Sequence, residues 1–385
     1  MRDFGIWEYC LPTKIIFGEN QLEKVGIETK RFGKKAFLVT GKASMKKSGV
    51  TDQVLKIIGK EGIEVVLYDA VESNPSTDTI DCGTGIARSK HCDVIVALGG
   101  GSAIDTAKAI AVVAKYGSKV WDYVGKNIPG EALPLIAIPT TAGTGSEVTP
   151  WSVFTNNDLR WKAGIGSVDT IPRVAIIDPT LMALMPKELV ASSGMDALTH
   201  AIEAYTSSIT NFMDEHLALQ SIGLACRYLI RAVKDRKDME AISGMALSST
   251  FGGMALTHAG VGTAHAMGMT IGGFFNTNHG VTVGLLLPHV VEYNLPHRIE
   301  KYACIAEILG RENHSIGKNC DKLPDMLGLL LSEIGIPIRM REIGVKEDTI
   351  PEMIEDTMTH QKDDLQTNPV MPTRNDVEQL YRKAF

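Results

Sequence analysis

Residues 94–110 read "VIVALGGGSAIDTAKAI". An apolar, β-branched run breaks at three glycines and resumes as an Ala/Ile/Lys segment with helical spacing, which predicts a strand running into a helix. Gly99, Gly100 and Gly101 let backbone N–H groups come close to an anion, and the positive end of the following helix points at the same place. The spacing is neither G-x-G-x-x-G nor a Walker loop. A tight strand-to-helix turn with no ligand would read the same way. Outward from this stretch the theme repeats. "KAFLVTG" (35–41), "IEVVLYDAV" (63–71), "LPLIAIPTT" (133–141) and "RVAIIDPT" (173–180) read as strands, with amphipathic segments at 52–62 and 77–89 between them. Strands alternating with helices at this spacing predict a parallel sheet covered on both faces. After Pro186 the β-branched runs stop, and Ala/Leu/Met-rich segments at 187–208, 213–234, 239–256 and 297–309 predict packed helices. The expected fold is an α/β Rossmann-like nucleotide-binding domain at 1–185, followed by an all-α domain at 186–385.

Bulk properties narrow the function. The 385 residues are 44% hydrophobic and 22% charged, with a formal net charge of −6. A mildly acidic chain without a Lys/Arg-rich block gives no support for nucleic acid as a partner. Apolar runs stop well short of a bilayer span, so no membrane is expected. The opening "MRDFGIWEYC" lacks the apolar core of a signal peptide. Six cysteines at 10, 82, 92, 226, 304 and 320 form no C-x-x-C pair. They read as reduced thiols of a cytoplasmic protein. There is no internal repeat.

A second turn, "IPTTAGTGSEVT" (138–149), also follows a strand. Thr140, Thr141, Thr144 and Ser146 offer hydroxyl donors, and Gly143 and Gly145 keep the approach open. Two such turns at successive strand ends suggest a nucleotide with a pyrophosphate. An acidic residue at the end of "KAFLVTG" would commonly bind the adenosine ribose and select NAD. Here Gly41 stands instead, with Lys42, Lys46 and Lys47 nearby. Room plus positive charge leans towards NADP over NAD, although solvated lysines would look alike.

The helical half carries a different signal. In "SGMDALTHAIEAY" (193–205), Asp196 and His200 lie four apart among apolar residues, hence on one face of a helix. Burying both is unfavourable unless each finds a partner. His265 and His279, in "GTAHAMGMTIGGFFNTNHG" (262–280), also sit in an apolar setting. One carboxylate and three imidazoles suit Fe, Zn, Mn or Co. Four protein ligands would fill a tetrahedral zinc, whereas iron(II) keeps room for a substrate oxygen, which favours iron and leaves zinc open. His258 reads as a capping or core residue, and His289 and His297 as helix-end residues. Glu203 reads equally as a solvent or helix-dipole residue and as a reach into the metal cleft.

At these residues the sequence resembles the iron-dependent (group III) alcohol dehydrogenase family over nearly its whole length. The motifs are "GGGSAIDTAK" (99–108), "PTTAGTGSEVTPWSV" (139–153), "GMDALTHAIEAY" (194–205), the His265 and His279 pair, and "TNPVMPT" (367–373). The resemblance implies the two-domain, dehydroquinate synthase-like architecture, and Asp196, His200, His265 and His279 as metal ligands. It places Gly100, Gly101, Ser102, Asp105, Thr140, Thr141 and Thr144 at the cofactor, with Asn74 and Lys162. It also implies a homodimer or higher homo-oligomer. Two departures stand out: Met269 where many members carry a further histidine, and Asn278 where proline is common. The implied chemistry is reversible hydride transfer between a short-chain primary alcohol or aldehyde and NAD(P), the proton leaving through water or a cofactor ribose hydroxyl. Dehydroquinate synthase-like lyases and glycerol dehydrogenase-like enzymes share the architecture, and the four-residue metal set with its Asp-x-x-x-His start argues against both. Met267 and Met269 hint at an apolar pocket, or at plain core filling.

Overall fold

The computed structural model describes residues 6–312 and 320–385. The first five residues of the opening stretch, read above for a signal peptide, lie outside them. The chain divides into two compact units. One comprises Cys10–Thr141 and Ser146–Met185; the other comprises Ala142–Gly145 and, among the described residues, 6–9 and those from Pro186 to Phe385. The short stretch 142–145, read above as part of the nucleotide-binding half, thus packs with the helical unit. It holds Thr144.

The first unit is built on a six-stranded, all-parallel sheet: β1 (Lys14–Phe17), β2 (Lys35–Gly41), β3 (Glu64–Val71), β4 (Val94–Gly99), β5 (Leu135–Pro139) and β8 (Val174–Ile177), in the order β1-β8-β5-β4-β2-β3. Successive residues of β4 serve opposite layers. Ile95 and Ala97 join Phe37, Ile104 and Ile110 in one core; Val94, Val96 and Leu98 join Leu38, Val54 and Ile58 in the other. Burial on both faces explains why the strands read as unbroken apolar runs. The helices are α1 (Val25–Lys30), α2 (Ser44–Lys47), α3 (Val50–Lys60), α4 (Thr77–Ser89), α5 (Gly101–Tyr116) and α6 (Pro179–Met182). The chain leaves β2 towards β3 on one side, and β4 returns on the other, so the order reverses between β2 and β4. That reversal opens a crevice at the carboxyl ends, where Gly41 and Gly99–Gly101 lie. Strand β1 and an antiparallel hairpin of β6 (Ser152–Asn156) and β7 (Trp161–Ile165) were not expected from the sequence.

The second unit contains helices alone among its described residues: α7 (Lys187–Thr206), α8 (Phe212–Lys234), α9 (Met239–Ala259), α10 (Thr263–Phe275), α11 (His279–Asn294), α12 (Ile299–Glu312), α13 (Leu323–Ile334), α14 (Ile350–His360), α15 (Lys362–Gln366) and α16 (Arg374–Ala384), with short 3-10 turns. Asparagines start two of them: Asn211 accepts from the N–H groups of Met213 and Asp214 at α8, and Asn278 from Val281 at α11. Met267 packs with Ile271, Leu286, Met353 and Tyr381 in a buried core. It is core filling and not a pocket wall. No described helix is long and apolar enough to cross a membrane.

Candidate metal centre and nucleotide-binding turns

Three helices of the second unit bring the metal-type residues together. Helix α7 supplies Asp196 and His200, α10 supplies His265 in its first turn, and α11 begins with His279. Nε2 of His265 and of His279 each stand 3.7 Å from Oδ1 of Asp196, and Nε2 of His200 stands 3.9 Å from it. These separations are too long for hydrogen bonds. They suit atoms sharing one ion, since ligands about 2.0–2.2 Å from a cation lie about 3.5 Å apart. Asp196, His265 and His279 form the tight group, with ligand atoms all within 4.8 Å of one another. His200 stacks on His265, ring centroids 4.4 Å apart and planes 19° from parallel.

The fit to a cation rests on unmet bonding capacity. Oδ1 of Asp196 and Nε2 of His265 are fully buried with no hydrogen-bond partner. Leaving such atoms unsatisfied costs about 1–3 kcal/mol each, and a divalent ion removes that penalty. Burial works against an ionised Asp196, yet the His200, His279 and His265 imidazoles hold its carboxyl well below the usual carboxylate range. Burial pushes His200 down to about 4, into the neutral form a metal ligand needs. Burial also opposes a charged His265, but the Glu203 and Asp196 carboxylates flanking it pull it up to about 10. The site is closed on most sides. The His279 side chain is 24% exposed and that of Asp196 only 4%, so access lies on the His279 side.

Glu203 is buried and neither faces solvent nor serves the dipole of its own helix. Its carboxylate accepts from Nδ1 of His265 at 2.5 Å and from the backbone N–H of Ala264 at 2.7 Å. The His258 ring lies tilted by 36° against Tyr9, centroids 4.4 Å apart, with Nδ1 3.7 Å from Asp214, and it is not part of the Asp196, His265 and His279 group.

In the first unit, Gly100 caps α5 without a side-chain acceptor, leaving first-turn N–H groups for a ligand. Thr140 lies at the end of β5, its N–H bonded to Gly99 O at 2.9 Å. Thr141 packs against Gly100, where a Cβ would come within 3.0 Å of the threonine. Asp105 and Ser146 are committed to the chain itself. Ser146 Oγ donates to Asp105 at 2.5 Å, the Val153 N–H donates to Asp105 at 3.0 Å, and buried Lys108 donates to Ser146, Thr149 and the Trp151 carbonyl. Asn74, at φ 51°, accepts from Lys162 Nζ at 3.3 Å, which joins these two residues from distant segments.

The description "Iron-containing alcohol dehydrogenase" fits residues 12–179, and its C-terminal counterpart, "Fe-containing alcohol dehydrogenase family, C-terminal", fits residues 190–385. The chain belongs to the iron-containing alcohol dehydrogenase family. It is 38% identical to the 1,3-propanediol dehydrogenase of Citrobacter freundii, over 99% of this chain and 100% of that one. It is 33% identical to the NAD-dependent methanol dehydrogenase of Bacillus methanolicus, over 98% and 99%. A crystal structure of an archaeal halo-thermophilic alcohol dehydrogenase from a Red Sea brine pool superimposes with a TM-score of 0.95 and 35% identity, covering 100% of both chains. The protein is thus an NAD(P)-dependent alcohol oxidoreductase, and the two-unit α/β plus helical fold is that of iron-containing alcohol dehydrogenases. Sequence reasoning left Glu203 undecided and missed Lys108 altogether. Glu203, three residues after His200, shares its stretch of helix, but its partners on α10 leave no mark in the local sequence; Lys108 sits inside a quoted motif as one more apparent surface lysine.

Proposed function

We propose that Asp196, His200, His265 and His279 hold a catalytic iron, and that the protein interconverts short-chain primary alcohols and aldehydes with NADP(H) as the preferred cofactor. The observation carrying this reading is the convergence of three Nε2 atoms on Oδ1 of Asp196 at 3.7–3.9 Å. When bound, the ion supplies Lewis acidity towards an alcohol or carbonyl oxygen. The chain's own part is orientation and exclusion. Helices α7, α10 and α11 fix the four donors, burial keeps water from all but the His279 side, and Met269 offers no proton-carrying group where many family members carry histidine. The proton then leaves through water or a cofactor ribose hydroxyl.

Gly100, Gly101 and Ser102 at the start of α5, with Thr140 and Thr141, are proposed to bind the cofactor phosphates, and Asn74 with Lys162 to touch the cofactor. Support for NADP comes from Gly41, where an added Cβ would meet nothing closer than 3.7 Å, and from Lys42 and Lys46. Those lysines face Glu72 at 4.0 Å and Asp69 at 3.2 Å in exposed pairs, which are weak enough to yield to a 2′-phosphate. A cytoplasmic homodimer or higher homo-oligomer is proposed, the compartment from the scattered cysteines and the assembly from the family resemblance.

The test is oxidation of NADPH and NADH with a panel of short aldehydes, using anaerobically purified protein as isolated, metal-stripped, and reloaded with iron or zinc. Iron-restored turnover favouring NADPH is expected. Equal rates with and without metal would sink the assignment of the ligands, and an NADH preference would sink the Gly41 argument.

A further inference from the structure

We propose that Glu203 is a positioning residue for the metal centre: its carboxylate fixes the tautomer and the angle of the His265 ring, and so sets the affinity of the site for a divalent cation. The inference rests on the reading that His265 is a metal ligand. A carboxylate accepts and does not donate, so the 2.5 Å bond from His265 to Glu203 requires the proton on Nδ1. In the neutral ring that a metal ligand needs, Nε2 is then the lone-pair nitrogen, and it is this atom that lies 3.7 Å from Asp196 with no hydrogen-bond partner. Histidines that ligate metals hold the same arrangement, one nitrogen anchored to an acceptor and the other turned to the ion.

The second oxygen of Glu203 accepts from the Ala264 N–H, one of the orphan donors in the first turn of α10. Its neighbour, the Thr263 N–H, is taken by the side chain of Asn368 at 3.3 Å. Asn368 exchanges two amide bonds with Asn294 of α11, at 2.9 and 2.7 Å. Gly262 makes room for both acceptors: a Cβ there would lie 2.9 Å from the Glu203 carboxylate and 3.0 Å from the Asn368 carbonyl. Among the described residues no lysine or arginine pairs with Glu203. Its partners are the His265 ring and the N-terminus of α10, which ties the carboxylate to the ligand and not to a surface cation.

Two roles therefore need separating, ring orientation and helix anchoring. Cobalt(II) is the probe, titrated into stripped full-length protein against a competing chelator, with its visible absorption reporting coordination. E203Q keeps the shape, but its amide can accept from only one of the two donors. It is expected to weaken cobalt binding about 10–100-fold and alter the visible bands, while the metal-free protein melts close to wild type. N368A removes an anchor of α10 without touching His265. It is expected to lower the metal-free melting temperature and leave cobalt affinity within about threefold, well below the 10–100-fold effect of losing a ligand's partner. E203D, which keeps the charge but retracts it, is expected to fall between wild type and E203Q, and serves if E203Q does not fold. Wild-type affinity and spectrum in E203Q, or in E203D where it stands in, would overturn the proposal. So would equal weakening by N368A. Failure of the wild-type protein itself to bind cobalt would instead overturn the metal reading beneath it.

Discussion

Nε2 of His279 comes within 3.7 Å of Asp196 because the next residue, Gly280, lies against the backbone of the helix that carries Asp196. A Cβ on Gly280 would sit 2.0 Å from the carbonyl oxygen of Ser192, which cannot move without disturbing α7. G280A is therefore expected to push α11 off α7, with an overpacking penalty of about 1–3 kcal/mol. Urea unfolding of the metal-free protein measures the penalty, and cobalt titration should show weaker binding. A G280A protein with unchanged stability and affinity would mean that the two helices tolerate the extra methyl.

Metal removal should lower stability by mass action. An ion at about a thousand times its dissociation constant adds about 4 kcal/mol to a folded state that alone binds it. Stripping with a chelator should lower the melting temperature, and iron should restore it. In D196A the melting temperature should no longer respond to iron. A response of wild-type size in D196A would show that the ion sits elsewhere.

Lys108 is fully buried, with its ammonium donating to Ser146, Thr149 and the Trp151 carbonyl and lying 3.7 Å from Asp105. Burial lowers it to about 8, and burial likewise raises Asp105, so desolvation outweighs their mutual attraction. Removing one partner leaves the other uncompensated. K108M should destabilise the protein by about 3–5 kcal/mol in denaturant titrations. A loss under about 1 kcal/mol would show that the segment 146–153 holds its place without the ammonium, since neutral hydrogen bonds alone contribute about that much.

Burial also raises the Asp214 carboxyl to about 7. One of its oxygens accepts from Asn211 at 2.6 Å, and the other has no hydrogen-bond partner, with His258 at 3.7 Å. Its folded value lies above the unfolded one of about 3.9, so folding takes up a proton between the two. The stabilisation is full below about pH 4 and is lost as pH rises through about 7. D214N cannot ionise there. Urea unfolding at several pH values should show wild type falling behind D214N across that window, with a constant gap above it. Asp364, also raised to about 7 by burial, is present in both proteins and cancels. Parallel pH profiles would refute the assignment.

What the sequence disclosed was periodic or chemically conspicuous. The apolar runs of β2, β4, β5 and β8 were legible because a sheet covered on both faces leaves no polar alternation to confuse them. Asp196 and His200 were legible from a spacing of four in an apolar helix. Glu203 was not, because its meaning depends on the start of α10 lying over α7, which no local pattern encodes. The hairpin of β6 and β7 is short and mixes Ser, Thr, Asn, Lys and Gly with its apolar residues, so it lacks the run that marks the central strands. Met267 stayed open between pocket wall and core filling because a core methionine and a pocket methionine have the same neighbours in sequence.

The candidate metal residues come from α7, α10 and α11, with the whole of α8 and α9 lying between the first and the second. An ion joining Asp196 to His265 would close a loop as a disulfide does, across two complete helices. Loops that long are slow to close, and their closure comes late. Iron supplied during refolding should thus leave the early folding rate unchanged and slow unfolding instead, acting as a latch on the finished helical unit and not as its nucleus.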